Sequence, residues 1–314
     1  MADLSLELCG VKFNTPVAMA SGNAGYGLAY QRVAGFDLRD VGAVFLKGTT
    51  LEPKKGNRPE RVWETPCGLL NSVGLENPGV DVVVNELLPQ LDVDATRYIA
   101  NVSGSSLEEY AEVTRRFDDS PVAAIEVNIS CPNVKKGGAA FGNDPDMAAR
   151  VTEVCRAVTT KPLIVKLSPN QTDIAEGARR VIDAGADMLS AINTLMGMAI
   201  DIDTMRPTLG NNQGGLSGPA IKPVALLKVH QVYQVARPHG VPIIGLGGIA
   251  TAEDAIEFFL AGASMVAVGT MLASDPLLLK KLNRGIAAYL DKKGLASVSE
   301  LTGRLQLNTD TVLC

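Results

Sequence analysis

The stretch Ile243-Ile244-Gly245-Leu246-Gly247-Gly248 decides the fold, together with Met265-Val266-Ala267-Val268-Gly269-Thr270 that follows it. Each begins as a short apolar run and ends in a glycine motif, and the segment between them has the length and composition of a helix. Short apolar runs separated by helical patterns are typical of parallel strands that are buried on both faces. The pair therefore predicts a βαβ unit.

Six further runs of the same kind precede this unit. Together they give eight predicted strands that alternate with helical patterns, which predicts an α/β fold, a closed (β/α)8 TIM barrel. No linker or shift in composition divides the chain, so we predict a single domain over residues 1–314. The predicted strands span residues 17–20, 43–46, 98–102, 124–129, 163–167, 188–192, 243–246 and 265–268.

The charge and composition of the chain exclude several classes of protein. The formal net charge is −5 and Lys and Arg do not cluster, so nucleic acid is a poor candidate partner. Residues 1–10 lack the pattern of a signal peptide, and no apolar run approaches the roughly 20 residues of a membrane helix. The cysteines are widely spaced, which indicates neither disulfides nor a metal site and favours the cytoplasm; they are Cys9, Cys67, Cys131, Cys155 and Cys314.

Two connections between predicted strands are unusually long. Residues 48–77 follow the second strand and residues 194–218 follow the sixth, and both are rich in Gly, Pro and Asn. This composition predicts loops without regular structure. Long loops that follow the strands of a barrel lie on its catalytic face, so we expect both loops to contribute to the active site.

Glycine motifs after the last two strands predict a phosphate site. Gly247-Gly248 and Gly269-Thr270 lie where barrels commonly bind a phosphate through backbone N–H groups. The alternative, a dinucleotide-binding fingerprint at 245–248, has the wrong glycine spacing. A phosphorylated ligand or cofactor is therefore expected.

Two lysines lie at the ends of apolar strands, where a solvated lysine would be out of place. They are Lys47, after the second strand, and Lys166, in the fifth. A buried cation needs an anion. Lys166 could stabilise negative charge on a reduced flavin, and Lys47 could contact the flavin or an anionic substrate. A salt-bridged structural lysine is the alternative for each.

Cys131 is the candidate catalytic residue. It follows the fourth strand on the predicted catalytic face, and a thiol can act as a base if its surroundings favour the thiolate. Cys155 lies on a predicted helix, where packing in the core is the ordinary interpretation. His230 and His239 lie toward the other end of the barrel, so we assign them no catalytic role.

Taken together, these motifs resemble those of the class 1 dihydroorotate dehydrogenases. The most specific is Asn-Ile-Ser-Cys-Pro-Asn-Val-Lys-Lys-Gly-Gly at 128–138, which is similar to the catalytic loop of that family. Residues 71–75 resemble its substrate loop, and residues 192–194 and 214–218 resemble two further motifs. The resemblance spans nearly the whole chain. It implies an FMN-dependent TIM barrel that oxidises (S)-dihydroorotate to orotate in de novo pyrimidine (UMP) biosynthesis, with Cys131 as general base.

The resemblance also implies which residues bind FMN and which bind the substrate, and it implies no metal. FMN would accept a hydride. The glycine content of residues 135–138 predicts, in addition, a lid that opens for substrate entry and closes over the ring. The residues implied for FMN are Ser21, Lys47, Gly48, Asn101, Asn128, Lys166, Ile192, Gly218, Gly247, Gly248, Gly269 and Thr270. Those implied for the substrate are Lys47, Asn71, Ser72, Val73, Gly74, Leu75, Asn128, Asn133, Asn193 and Thr194.

Residues 135–142 and 194–201 are more similar to the 1B branch of the family than to the fumarate-reducing 1A branch. The 1B resemblance implies a homodimer within a heterotetramer, in which a second subunit carries FAD and a [2Fe-2S] cluster and passes electrons to NAD. This chain lacks the four suitably spaced cysteines that such a cluster needs. Two alternatives stay open: a homodimeric, fumarate-linked 1A enzyme, and a non-redox barrel lyase that binds a substrate phosphate.

Overall fold

Eight parallel strands close into a barrel, which confirms the predicted fold. The computed structural model describes residues 2–129 and 143–308. The barrel strands are β3 (Val17–Met19), β4 (Ala43–Phe45), β7 (Arg97–Val102), β8 (Ala124–Asn128), β9 (Leu163–Lys166), β10 (Met188–Ala191), β15 (Ile243–Leu246) and β16 (Met265–Val268). Their order around the barrel is β10-β15-β16-β3-β4-β7-β8-β9. Each agrees with a predicted run to within one residue at either end.

Helices cover the outside of the barrel. At the start of one of them, Asp144 accepts the N–H groups of Asp146 and Met147, and Pro145 occupies the first turn. None of the described helices is both long and apolar enough to span a membrane. The α-helices are α1 (Val80–Val82), α2 (Leu107–Asp118), α3 (Pro145–Arg156), α4 (Ile174–Asp183), α5 (Lys222–Ala236), α6 (Ala252–Ala261) and α7 (Leu278–Lys293). Shorter helical segments are Tyr30–Arg32, Leu38–Asp40, Val83–Leu87, Leu88–Gln90, Pro219–Ile221, Arg237–His239, Thr270–Ala273 and Val298–Glu300.

The interior of the barrel changes from apolar to polar along its axis. Toward the amino ends of the strands, side chains such as Phe45 and Ile99 form a buried cluster that includes Phe13 of the hairpin β1 (Leu6–Leu8) and β2 (Val11–Phe13). Inward positions recur every second residue of a strand, and the next ones toward the carboxyl ends are polar. They include Asn101, Glu126, Lys166 and Ser190, all at most 5% exposed. The carboxyl end is therefore built to receive a polar ligand.

Both long connections contain regular structure, so the prediction that they are structureless is wrong. They form a four-stranded antiparallel sheet in the order β11-β14-β6-β5 and a two-stranded ribbon. A Cβ added to Gly215 would lie 2.0 Å from the Oγ1 of Thr194. Glycine is needed at such positions of the sheet because neighbouring residues leave no room for a side chain. An apolar pattern cannot reveal such strands. The sheet consists of β5 (Val62–Thr65), β6 (Gly68–Asn71), β11 (Leu195–Gly197) and β14 (Gly214–Ser217), and the ribbon of β12 (Ile200–Asp201) and β13 (Arg206–Pro207).

Two glycines that end helical segments allow a matched test of the packing. A Cβ on Gly262, at φ +122°, would lie 2.1 Å from the Tyr233 Cγ, whereas Gly240, at φ +66°, has no atom within 4 Å of that position. We expect Gly262→Ala to lower the free energy of unfolding by about 3 kcal/mol and Gly240→Ala by only about 1 kcal/mol. Urea unfolding measures both values. Equal losses would show that the contact with Tyr233 has no effect on stability.

Candidate active site

A cavity of about 280 Å³ lies at the carboxyl end of the barrel, bounded by the strand ends and the four-stranded sheet. Asn101 and Ser72 are buried and are not among its lining residues. Cys131 and Asn133 lie outside the described residues, as does the predicted lid at 135–138. The other predicted site residues line the cavity: Ser21, Lys47, Gly48, Asn71, Val73, Gly74, Leu75, Asn128, Lys166, Ile192, Asn193, Thr194, Gly218, Gly247, Gly248, Gly269 and Thr270.

One part of the cavity is lined by backbone. A Cβ added to Gly247 would lie 2.7 Å from the Cβ of Ala225, and a Cβ added to Gly248 would lie 2.8 Å from the Cβ of Lys222. Both glycines have positive φ. Only glycine fits such positions. The backbone N–H groups of Gly247, Gly248, Gly269 and Thr270 donate to no backbone acceptor within 2–129 and 143–308. Amides of this kind bind phosphate.

Lys166 adds a positive charge to the cavity. It is 5% exposed, and its ammonium forms no ion pair with a carboxylate in the part of the chain that the structure describes. A buried ammonium without a counter-ion is unfavourable, so the site is complete only with an anion or strong acceptor. The alternative of a salt-bridged structural lysine thus finds no support for Lys166 among the described residues. Lys47 lines the same cavity.

Three asparagines from different elements also line the cavity, and each is held by a hydrogen bond. Asn71 Nδ2 donates to the Gly215 carbonyl at 3.2 Å, and Asn128 Nδ2 donates to Asn101 Oδ1 at 3.3 Å. Asn193 accepts a backbone N–H through Oδ1. A carboxamide offers both a donor and an acceptor, so fixed amides suit a planar ligand that carries both N–H and C=O groups.

Comparison with known proteins decides the family. A family model described as "Dihydroorotate dehydrogenase" matches residues 3–290. The chain belongs to the dihydroorotate dehydrogenase family. Its relatives include proteins named "Dihydroorotate dehydrogenase B (NAD(+)), catalytic subunit". The one from Geotalea uraniireducens is 51% identical over 96% of this chain and 98% of the relative. The one from Anoxybacillus flavithermus is 49% identical over 100% and 99%.

The cavity fits FMN, the cofactor that the dihydroorotate dehydrogenase family implies. Within the described residues the amides of the glycine motifs donate to no backbone acceptor, which suits the phosphate of FMN. The buried ammonium of Lys166 forms no ion pair with a carboxylate in the same part of the chain, which suits a ring that becomes negatively charged on reduction. Ser217 and Thr270, whose hydroxyl oxygens lie 2.8 Å apart, add further polar groups next to these glycines.

Two asparagines stabilise the predicted substrate loop through hydrogen bonds. Neither was singled out in the sequence analysis. Asn57 Nδ2 donates to both the carbonyl and the hydroxyl oxygen of Ser72 at 3.1 Å. Asn77 Nδ2 donates to the carbonyl of Leu75 at 2.7 Å. Leu75 has φ +57°, which is uncommon for a residue other than glycine and requires such support. These bonds hold Ser72 in the interior while the next three residues line the cavity.

The sequence analysis also missed two polar residues inside the barrel. The fully buried carboxylate of Glu126 accepts hydrogen bonds from Asn101 Nδ2 and, at 2.6 Å, from Ser190 Oγ. A signal was present, because a glutamate interrupts the apolar run 124–129. Its partners lie 25 and 64 residues away along the chain, so their meeting is visible only once the barrel is closed.

Cys155 has the packing role that the sequence predicted. It is buried on α3, and this burial raises the pKa of its thiol to about 12. Such a thiol stays protonated near neutral pH. Cys155 is therefore not a candidate for a catalytic base.

An ion pair supports the glycine motif at 247–248 from behind. Lys222 Nζ lies 2.6 Å from Asp254 Oδ1, and Asp254 Oδ2 accepts the N–H groups of Ala250 and Thr251. Burial acts to raise the pKa of Asp254. The hydrogen bonds from Lys222 and the two backbone N–H groups outweigh that effect and hold the pKa below its ordinary value of 3.8. The charged carboxylate therefore fixes the turn that follows the glycines.

Asp254→Asn should destabilise the fold in a pH-dependent way. A carboxyl group whose pKa is lowered by folding stabilises the native state above its unfolded pKa of 3.8, and this contribution is lost as the pH falls through the lowered value. We expect a loss of about 2 kcal/mol at neutral pH in urea unfolding, shrinking below about pH 4. Glu253→Gln, at an exposed position of the same helix, serves as the control. A loss that does not shrink in acid would contradict this role of the charge.

Proposed function

We propose that this chain oxidises (S)-dihydroorotate to orotate with FMN as hydride acceptor, in pyrimidine biosynthesis. The observation that carries the proposal is one cavity that joins backbone amides without a backbone acceptor among the described residues, the buried ammonium of Lys166 and three asparagines held by hydrogen bonds. A phosphate, an electron-accepting ring and a planar polar substrate each find matching groups there. The names of the relatives support the same reaction.

FMN would be held by residues from several sides of the cavity. Lys166 would lie beside its ring. When bound, FMN supplies the acceptor for the hydride that leaves C6 of the substrate. Asn101 would act indirectly, since it lies behind Asn128. The amides of Gly247, Gly248, Gly269 and Thr270 would bind the phosphate, and Ser21, Lys47, Gly48, Asn128, Ile192 and Gly218 would contact the rest of the cofactor.

Formation of the C5–C6 double bond also requires that a proton leaves C5. We assign its removal to the thiolate of Cys131, which the family resemblance identifies as the base. The positive charges of Lys47 and Lys166 on the cavity favour a thiolate over a thiol in their vicinity. Residues 135–138, proposed as the lid, would exclude water while the proton is transferred.

The asparagines would fix the substrate between the base and the cofactor. Asn71, Asn128 and Asn193 offer donors and acceptors to the polar edge of the pyrimidine, and Lys47 offers a positive charge to its carboxylate. The other proposed substrate contacts are Ser72, Val73, Gly74, Leu75, Asn133 and Thr194.

Anaerobic mixing of the FMN-loaded protein with dihydroorotate tests the cofactor and the substrate together. We expect the absorbance of oxidised flavin to disappear as orotate forms in equal amount. A protein that purifies without flavin would favour the barrel lyase. A flavin that stays oxidised would reject dihydroorotate as the substrate.

We propose that the electrons then pass to NAD through a second subunit that carries FAD and a [2Fe-2S] cluster. The names of the relatives support this, because they contain both "NAD(+)" and "catalytic subunit". The fumarate-linked enzyme is the second candidate. Turnover with fumarate by this chain alone would establish it, whereas the NAD-linked enzyme should turn over only after its partner subunit is added.

We also propose that two copies of this chain associate within that heterotetramer. The ribbon β12–β13 and the residues around it expose several apolar side chains, among them Ile202 and Met205, each 84% exposed. An exposed apolar cluster of this kind marks an interaction surface, and two-fold contacts are the commonest kind in oligomers. The mass of the purified chain in solution tests the proposal, and a monomer would contradict it.

Two further proposals concern the organisation and the location of the chain. We propose that residues 1–314 act as one FMN-binding domain, because Asp3 pairs with Ser297 and the first hairpin closes the barrel. We propose the cytoplasm as its location, because Cys9, Cys67 and Cys155 are free thiols. Limited proteolysis and cell fractionation test these two points.

Lys166→Ala should slow flavin reduction far more than it weakens orotate binding. The ammonium is most valuable when negative charge accumulates beside it, so we expect a loss of about 10²-fold in the reduction rate and little change in the Kd. Stopped-flow reduction of the FMN-loaded variant by saturating dihydroorotate measures the rate. Lys292→Ala, at an exposed site on α7, is the control. Equal effects on binding and reduction would contradict this role.

Cys131→Ser should retain FMN but slow flavin reduction by roughly 10²-fold or more near neutral pH, since a hydroxyl is a far weaker base. The rate should recover partly as the pH is raised. Cys67→Ser replaces an exposed cysteine outside the cavity lining and should reduce normally. Wild-type rates in Cys131→Ser would remove that residue from the mechanism.

A further inference from the structure

A chain of hydrogen bonds leads from the cavity down to a buried carboxylate that the proposed reaction does not use. Asn128 Nδ2 donates to Asn101 Oδ1, and Asn101 Nδ2 donates to Glu126. The Ser190 hydroxyl donates to the other oxygen of Glu126. A carboxylate can only accept hydrogen bonds. Every donor in this series of hydrogen bonds therefore points toward Glu126.

This direction decides which atom Asn128 presents to a ligand. The oxygen and nitrogen of a carboxamide lie on opposite sides of Cγ, so a nitrogen held on Asn101 turns the oxygen the other way. Asn128 lines the cavity, whereas Asn101 and Glu126 are fully buried behind it. The cavity is therefore offered an acceptor at this position.

The backbone of Asn128 is fixed independently of this chain. The hydroxyl of Tyr110 donates to its carbonyl at 2.9 Å, and Asn128 pairs with Lys166 in the barrel ladder. Glu126 can therefore set the orientation of the side-chain amide of Asn128 but not the position of its backbone.

We propose that Glu126 is a positioning residue that makes Asn128 a hydrogen-bond acceptor for a ring N–H of dihydroorotate; this rests on the proposed function. Without an acceptor at position 126, the amide of Asn101 can turn over and bring its NH2 against the NH2 of Asn128. Two donors cannot bond, so Asn128 would turn as well and meet the ring N–H with a donor.

Three variants separate orientation from charge and from packing. Glu126→Gln loses the charge but keeps the chain, because the Gln oxygen can accept from Asn101 while its NH2 donates to the Ser190 hydroxyl, which accepts as well as donates. Glu126→Met removes the acceptor at similar length. Ser190→Ala removes the other donor of the same cluster and leaves the chain from Asn128 to Glu126 intact.

The measurement is the Kd of orotate, taken from its effect on the spectrum of the bound flavin. We expect Glu126→Gln and Ser190→Ala to stay within about threefold of the wild type, and Glu126→Met to raise the Kd by about tenfold or more. In an Asn128→Ala background, Glu126→Met should have no further effect, because it acts through Asn128.

Three results would overturn the proposal. A Kd in Glu126→Met equal to that of the wild type would show that orientation is not set from position 126. Equal losses in Glu126→Gln and Glu126→Met would show that the charge matters instead. A loss of the same size in Ser190→Ala would show a general packing effect.

Two controls keep the test decisive. If Glu126→Met does not fold, Asn101→Ala interrupts the same chain at its middle and should raise the Kd equally; an unchanged Kd would again overturn the proposal. If wild-type protein neither binds orotate nor is reduced by dihydroorotate, the proposed function fails as well. If the wild type does both, contrary variants reject only the role of Glu126.

Discussion

Closure of eight parallel strands brings all their carboxyl ends to one rim, and this constraint determines where every functional group can lie. Helices cover the outside, and apolar side chains such as Phe45 and Ile99 fill the amino-terminal half of the interior. Polar groups with access to a ligand are therefore confined to the other half. Glu126 and Lys166 are buried there, where each charge requires partners within hydrogen-bonding distance. The result is a compact polar layer in which Lys166 lines the cavity and Glu126 lies behind it.

The cavity has walls of two different origins. Gly247 and Gly248 directly follow β15, Gly269 directly follows β16, and the ion pair of Asp254 supports the turn after Gly248. The opposite wall belongs to the four-stranded sheet, which is built from loop segments and contributes Asn71. The barrel thus fixes the side that suits FMN, and the sheet completes the side that suits the substrate.

The sequence was sufficient for the barrel strands and for most of the cavity lining, since buried parallel strands are continuous apolar runs and the residues after them share one rim. It was insufficient for the sheet over the barrel, because β14 carries no apolar pattern and its Gly215 lies too close to the side chain of Thr194 for a side chain of its own. It also assigned Asn101 to the cofactor; in the fold this residue accepts a hydrogen bond from Asn128 and is not among the residues that line the cavity. Glu126 was missed because its partners come from β7 and β10, which are distant in sequence.

The choice of electron acceptor is not made by the polar layer of the barrel. In the proposed reaction Lys166 and Asn128 would serve the transfer of a hydride from the substrate, and that half-reaction is the same whichever acceptor follows. Fumarate would have to enter the same cavity after orotate leaves it, whereas electrons passed to NAD through a second subunit would leave through the contact with that subunit. A chain that passes its electrons to a second subunit would therefore need a contact surface outside the cavity. The exposed apolar ribbon around Ile202 and Met205, which we propose as a contact between two copies of this chain, likewise lies outside the lining of the cavity.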